Sequence, residues 1–137
     1  YEILKNSTDQ DGNPFTIIKM PVPEIDYMTF ALDTTNKNDE IKFLSRQILS
    51  EQKSFSIGDT VHFVPSSSYL NFLITNKTIY EAKYWEEGKS EIAKIKDEKA
   101  KQILKKYFPD IKIFQISTLE TNHNGGGLHC WSMQIPN

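Results

Sequence analysis

Apolar and polar positions change their period several times along the 137 residues, and each change marks a new element. Asp9-Gln10-Asp11-Gly12-Asn13-Pro14 is a turn by its chemistry, because Gly and Asn tolerate positive φ and Pro closes the segment. The apolar run Phe15–Met20 predicts a strand, ended by Pro21 and Pro23, which cannot donate to a ladder. The stretch from Leu32 to Glu40 is polar and reads as loop. Asn38 stands where a helix cap belongs, ahead of Ile41, Leu44 and Ile48 at helical spacing. Thr60–Val64 predicts a strand, broken by Pro65 and three serines. Ser68–Thr75 and Thr78–Ala82 are β-prone runs joined through Asn76-Lys77, the length of a hairpin connection. Over Ser90–Tyr107 the period becomes helical. Ile92, Ile95, Ile103, Leu104 and Tyr107 form the apolar stripe, and Asp97 stands four residues before Lys101 as local support. Pro109 stops this helix, Ile111–Ile116 resumes a strand, and Gly125-Gly126-Gly127 leads into a last predicted strand, Leu128–Ile135.

The mixed order argues against an all-helical protein and for packed α and β layers, an α/β chain in the broad α+β sense. At 137 residues the chain fits one domain with a modest core. Sixteen basic against 18 acidic side chains leave a formal charge of −2. That balance supplies no field for a phosphate backbone or an anionic bilayer, so neither nucleic acid nor membrane is an expected partner. No apolar run approaches the roughly 18 to 20 residues that span a bilayer. Tyr1-Glu2-Ile3-Leu4-Lys5 has neither an initiator methionine nor a signal core, so a processed product or a cut piece is expected.

The single cysteine, Cys130, cannot form an internal disulfide, which leaves two readings. Leu128, Trp131 and Met133 around it suit a core strand with an inert thiol. Three successive glycines argue the other way. They cost backbone entropy and pack nothing, so they make sense where backbone turns sharply or closely approaches another chain or ligand. A cysteine after such a segment can sit at a cleft beside backbone N–H donors that lower its pKa. The triplet is no phosphate loop, since the Lys-Ser/Thr ending and the following helix are missing. On an extended strand His129 points away from Cys130, which assigns it to packing or hydrogen bonding instead of proton transfer. His62 and His123 read as structural or partly exposed unless the fold returns them to the cysteine. No His, Cys and carboxylate set has structural zinc spacing; no metal and no cofactor is expected.

Gly125-Gly126-Gly127-Leu128-His129-Cys130-Trp131-Ser132-Met133-Gln134-Ile135-Pro136 resembles the C-terminal signature of agmatine deiminases and the related bacterial, Porphyromonas-type peptidylarginine deiminases. Pro65 to Asn76, containing Ser68-Tyr69-Leu70-Asn71-Phe72-Leu73-Ile74-Thr75, is similar to the strand ahead of that family's last module. A helix, Phe108-Pro109-Asp110 and the strand from Ile111 follow in the family's order. The likeness is good over residues 60–136 and loose over 1–23. Residues 24–57 depart from it, and are expected to be a variable insertion or loop. The resemblance implies a partial pentein-type αβ-propeller: the C-terminal ββαβ module, at 60–137, with part of the preceding one. Residues 1–137 would then be a C-terminal fragment of a deiminase catalytic domain. Cys130 takes the nucleophile position and Asn71 an active-site-proximal one. Tyr69, alternating onto the face of Asn71, is expected to line the pocket, with Gly126 and Gly127 bringing backbone to it.

The implied activity is hydrolysis of agmatine or peptidyl-arginine to a ureido product and ammonia, through a cysteine thiolate and a covalent intermediate. The family's catalytic His-x-Asp motif is missing: the histidines begin His62-Phe63-Val64, His123-Asn124-Gly125 and His129-Cys130-Trp131. The piece alone is therefore expected to be inactive. Its expected partners are a small guanidino substrate or the arginine side chain of a peptide, and the remaining N-terminal part of the same enzyme. A homo-oligomer stays open. So does compartment: cytoplasmic for the agmatine type, exported for the peptidylarginine type. A noncatalytic α/β interaction domain and a related cysteine amidinotransferase remain the alternatives.

Overall fold

The computed structural model describes residues 1–133 and 135. A four-residue helix, α1 (Glu2–Lys5), precedes the turn expected at Asp9. Asp9 Oδ1 accepts from the N–H groups of Asp11 and Asn13, each at 2.9 Å, and Gly12 takes a φ of +82°. The strand expected over Phe15–Met20 does not form, and Phe15 and Ile18 are exposed. An apolar run becomes a strand only when neighbouring backbone takes up its polar groups. Among the described residues this segment's surroundings offer just one isolated bridge, Thr8 to Pro14.

β1 (Met28–Ala31) pairs antiparallel with β2 (Thr60–Phe63), Phe30 opposite Val61. Between them in sequence lies α2 (Asp39–Glu51). Asn38 caps it as expected, its side chain accepting from the N–H groups of Glu40 and Ile41. Leu44 is buried with Phe30, Leu32 and Val61, and Ile41 and Ile48 pack against them. Residues 24–57 thus hold β1 and the whole of α2.

The second core gathers Tyr69, Ala82, Tyr84 and Ala100, with β3 (Leu73–Ile74), β4 (Thr78–Lys83), α3 (Glu91–Tyr107) and β5 (Lys112–Ser117) as the elements of this part. β3 and β4 are antiparallel, and the Thr75 N–H closes their connection on the Thr78 carbonyl at 2.8 Å. The first hairpin strand is shorter than expected because Ser68 diverts the backbone. Its Oγ accepts from the Leu70 N–H at 3.1 Å and its carbonyl from the Asn71 N–H at 3.4 Å. β4 and β5 are parallel, Tyr80 beside Phe114, so the chain must cross over, and α3 is the crossover. The result is an α+β chain with one mixed sheet and one antiparallel pair. Neither sheet closes into a barrel or propeller among the described residues.

Of the expected stripe on α3 only Leu104 is fully buried, and the rest of the inward face is made by smaller or polar residues. Ala93, Asp97, Ala100 and Leu104 are buried, whereas Ile92 and Ile95 face outward. Small side chains let the helix approach the sheet closely, and that closeness decides the face. Asp97 does not serve as surface support for Lys101: it is 3% exposed and accepts from the Tyr69 hydroxyl at 2.6 Å. It accepts as well from the backbone N–H groups of Tyr84 at 3.1 Å and Trp85 at 2.8 Å. One buried carboxylate therefore ties the end of β4 and the segment before β3 to the middle of α3. After β5 comes α4 (Leu119–His123), which the sequence pattern does not announce, and then the glycines.

Candidate active site

The strand expected over Leu128–Ile135 is replaced by a turn at residues 128–131; Gln134, like Pro136 of the motif, lies outside the described residues. The Trp131 N–H donates to the Gly127 carbonyl and the Ser132 N–H to the His129 carbonyl, both at 3.1 Å. Gly125 starts the reversal with a φ of +83°, a conformation a side chain resists. With no extended backbone, side-chain alternation no longer separates His129 from Cys130.

Asn71 takes up the donors that a strand would have paired. Its Oδ1 accepts from the backbone N–H groups of His129 at 2.9 Å and Cys130 at 3.3 Å. Its Nδ2 donates to the Cys130 sulfur at 3.1 Å. Because an amide oxygen only accepts and its nitrogen only donates, the two N–H groups force the NH2 end toward the sulfur. The two glycines are needed for close approach. A Cβ on Gly127 would lie 2.7 Å from Asn71 Cγ, and one on Gly126 would lie 2.4 Å from Trp131 Nε1. Both glycines are buried in these contacts.

Cys130 itself is exposed. Its thiol is held below the ordinary cysteine value, first by the Asn71 amide and then by the Gly127 backbone; desolvation opposes them, and the cysteine's own N–H adds least. These are neutral donors aimed at a developing thiolate. The arrangement favours the ionised sulfur while leaving it open to attack an electrophile.

The other candidate residues sit elsewhere. Tyr69 is 1% exposed and packs in the core against Tyr84, ring centroids 5.2 Å apart, with its hydroxyl committed to Asp97. Burial and that carboxylate push its phenol pKa up. It faces core, not open surface. His62 Nδ1 meets the Thr29 hydroxyl at 2.9 Å, and His123 Nδ1 meets Glu40 Oε1 at 2.9 Å. Thr118 and Asn122 escaped the sequence reading. Both are buried beside the glycine turn, Thr118 Oγ1 donating to Asn122 Oδ1 at 2.9 Å and Asn122 Nδ2 to the Gly126 carbonyl at 2.6 Å. Their spacing of four, directly before the glycines, was the available signal; their burial was not visible. Among the described residues no three His, Cys, Asp or Glu side chains group as metal ligands, and no helix is long and apolar enough to cross a membrane.

The chain also has recognisable kin among known sequences and structures. A family profile described as Porphyromonas-type peptidyl-arginine deiminase matches residues 1–136. A provisionally named agmatine deiminase of Marinomonas sp. (strain MWYL1) is 30% identical over 135 residues, covering 98% of this chain and 30% of its own length. Its counterpart in Streptococcus mutans serotype c is 31% identical over 137 residues, covering 99% and 31%. An X-ray structure of a provisionally named agmatine deiminase superimposes with a TM-score of 0.61 at 28% identity, over 95% of this chain and 29% of the other. The chain thus spans about a third of the length of the curated relatives it matches. By the match of its sequence over nearly every residue, the chain belongs to the Porphyromonas-type peptidyl-arginine deiminase family.

Proposed function

We propose that this chain carries the nucleophile of a guanidino-group iminohydrolase, as the C-terminal ββαβ portion of a pentein-type propeller completed by further polypeptide. The observation behind this reading is the Asn71 amide, which grips the Cys130 backbone with one end and its sulfur with the other. A structural cysteine needs no such donor. An exposed thiol kept toward its ionised form is what attack on a cationic carbon requires.

In the reaction, the Cys130 thiolate adds to the planar guanidinium carbon, forming a C–S bond and a tetrahedral adduct. A proton delivered to one nitrogen lets the C–N bond break and ammonia leave, giving a thiouronium-type intermediate. Water then adds to the same carbon, gives up a proton, and the C–S bond breaks to return thiolate and a ureido product. The acid–base group and the carboxylates that hold the guanidinium come from the rest of the polypeptide in this reading. Among the described residues the side chain that hydrogen-bonds the sulfur is Asn71, neither an imidazole nor a carboxylate. Agmatine and a peptide arginine share that guanidinium, and both are substrates to be tried.

The test is ureido production by a full-length parent and by the 137-residue chain. The parent is expected to turn over agmatine or a peptidyl-arginine, Cys130→Ala to abolish turnover, and the chain alone to give none. Undiminished turnover by the Cys130→Ala parent overturns the proposal. A noncatalytic interaction domain predicts instead a thiol alkylated no faster than an ordinary cysteine.

A further inference from the structure

Gly127 packs directly against the Asn71 amide that donates to the Cys130 sulfur, and the peptide group that carries Gly127 is held from its far side. The Gly126 carbonyl and the Gly127 N–H are two ends of one rigid unit, trans like every peptide bond of the described chain, so they point in opposite directions. At one end Gly127 lies against Asn71, where a Cβ would come within 2.7 Å of the amide carbon. The carbonyl end receives Asn122 Nδ2 at 2.6 Å. Asn122 is in turn oriented by Thr118, whose hydroxyl donates to Asn122 Oδ1 at 2.9 Å and so turns the NH2 end toward the glycine. Both side chains are 1% exposed, so water does not compete for these bonds. The Gly126 N–H closes the corner on the Thr121 carbonyl at 3.3 Å.

We infer that Asn122, oriented by Thr118, is a positioning residue: it holds the Gly126–Gly127 peptide in place, and with it the surface against which Asn71 sets its NH2 group on the Cys130 sulfur. The catalytic meaning of this rests on Cys130 being the nucleophile; the geometry does not. Two asparagines thus hold the loop from opposite sides. Asn71 grips the sulfur and the His129 and Cys130 N–H groups, and Asn122 grips the peptide against which Asn71 rests. With the Asn122 donor gone, a buried carbonyl is left unpaired and the peptide is free to rotate toward whatever donor it can find.

The experiment is the pH dependence of Cys130 alkylation by iodoacetamide in the 137-residue chain. Asn122→Ala is expected to move the profile to higher pH and to slow alkylation at pH 7 about fivefold, the worth of one ordinary hydrogen bond. Thr118→Val is expected to do the same more weakly, while Thr118→Ser, which keeps the hydroxyl, retains the native profile. Should circular dichroism show Asn122→Ala unfolded, the Val and Ser pair decides alone. A native profile in folded Asn122→Ala overturns the inference, as does equal slowing by Thr118→Ser and Thr118→Val. Neither result bears on turnover by the parent, so failure here and failure of the proposed function are told apart.

Discussion

Asn71 does with one amide what usually takes two residues, anchoring a turn and tuning a thiol. The two tasks separate by substitution. Asn71→Leu removes both and is expected to slow Cys130 alkylation at pH 7 about tenfold, with the loop loosened. Asn71→Asp keeps an acceptor for the His129 and Cys130 N–H groups but sets a negative charge beside the sulfur. Alkylation is expected to slow at least as much, with the thermal midpoint close to native; faster alkylation would contradict the role given to the NH2 end. Gly127→Ala is expected to act like Asn71→Leu, since its methyl would occupy the space of Asn71 Cγ. Both residues were legible in the sequence motif. Their joint geometry was not, because 59 residues separate them and only the fold brings them within 3.1 Å.

At the scale of elements, α2 was readable and α3 was readable only in extent. Asn38 and the Ile41, Leu44, Ile48 spacing are local signals, and local chemistry decided α2. In α3 the buried side is instead set by how close the sheet comes, which favours Ala93 and Ala100 over Ile92 and Ile95. Two substitutions distinguish these accounts in urea unfolding. Ile95→Lys is expected to change stability by less than about 0.5 kcal/mol, as at an exposed site. Asp97→Ala is expected to cost about 2–4 kcal/mol, since it strips the acceptor from the Tyr69 hydroxyl and from two backbone N–H groups in the core. The reverse order would restore the large-residue stripe as the core face. Phe15–Met20 fails as a strand for a related reason: strand formation needs a partner backbone, and apolar composition alone does not provide one.

Across the whole molecule, Glu81 links stability to pH. It is fully buried on β4, where Oε2 receives Gln115 Nε2 at 3.1 Å and Oε1 has no hydrogen-bond partner. Burial raises its pKa from 4.5 to about 7; Gln115 and Lys101 oppose the rise, and Asp97 and Glu98 add to it. Between those two values the folded chain binds more protons than the unfolded one, so stability falls as pH rises through the window. The loss is up to about 3 kcal/mol, and less to the extent that water reaches the site. Glu81→Gln is expected to flatten the stability curve between pH 4.5 and 8 and to raise stability at pH 8, measured by urea unfolding at each pH. An unchanged pH dependence would mean that the carboxylate is solvated. By itself, the sequence determined the elements with strong local signals: the capped α2, the hairpin, the extent of α3, and a glycine turn ahead of the one cysteine with an asparagine motif upstream. Those depend on neighbours within a few residues, which is the range that propensity and periodicity report. Tertiary structure alone decided which face of α3 is buried, where Asp97 and Tyr69 point, that the last segment turns instead of extending, and that Asn71 and Asn122 hold the Cys130 loop between them. Each of these is settled by contacts between distant segments, whose energies exist only once the chain has folded.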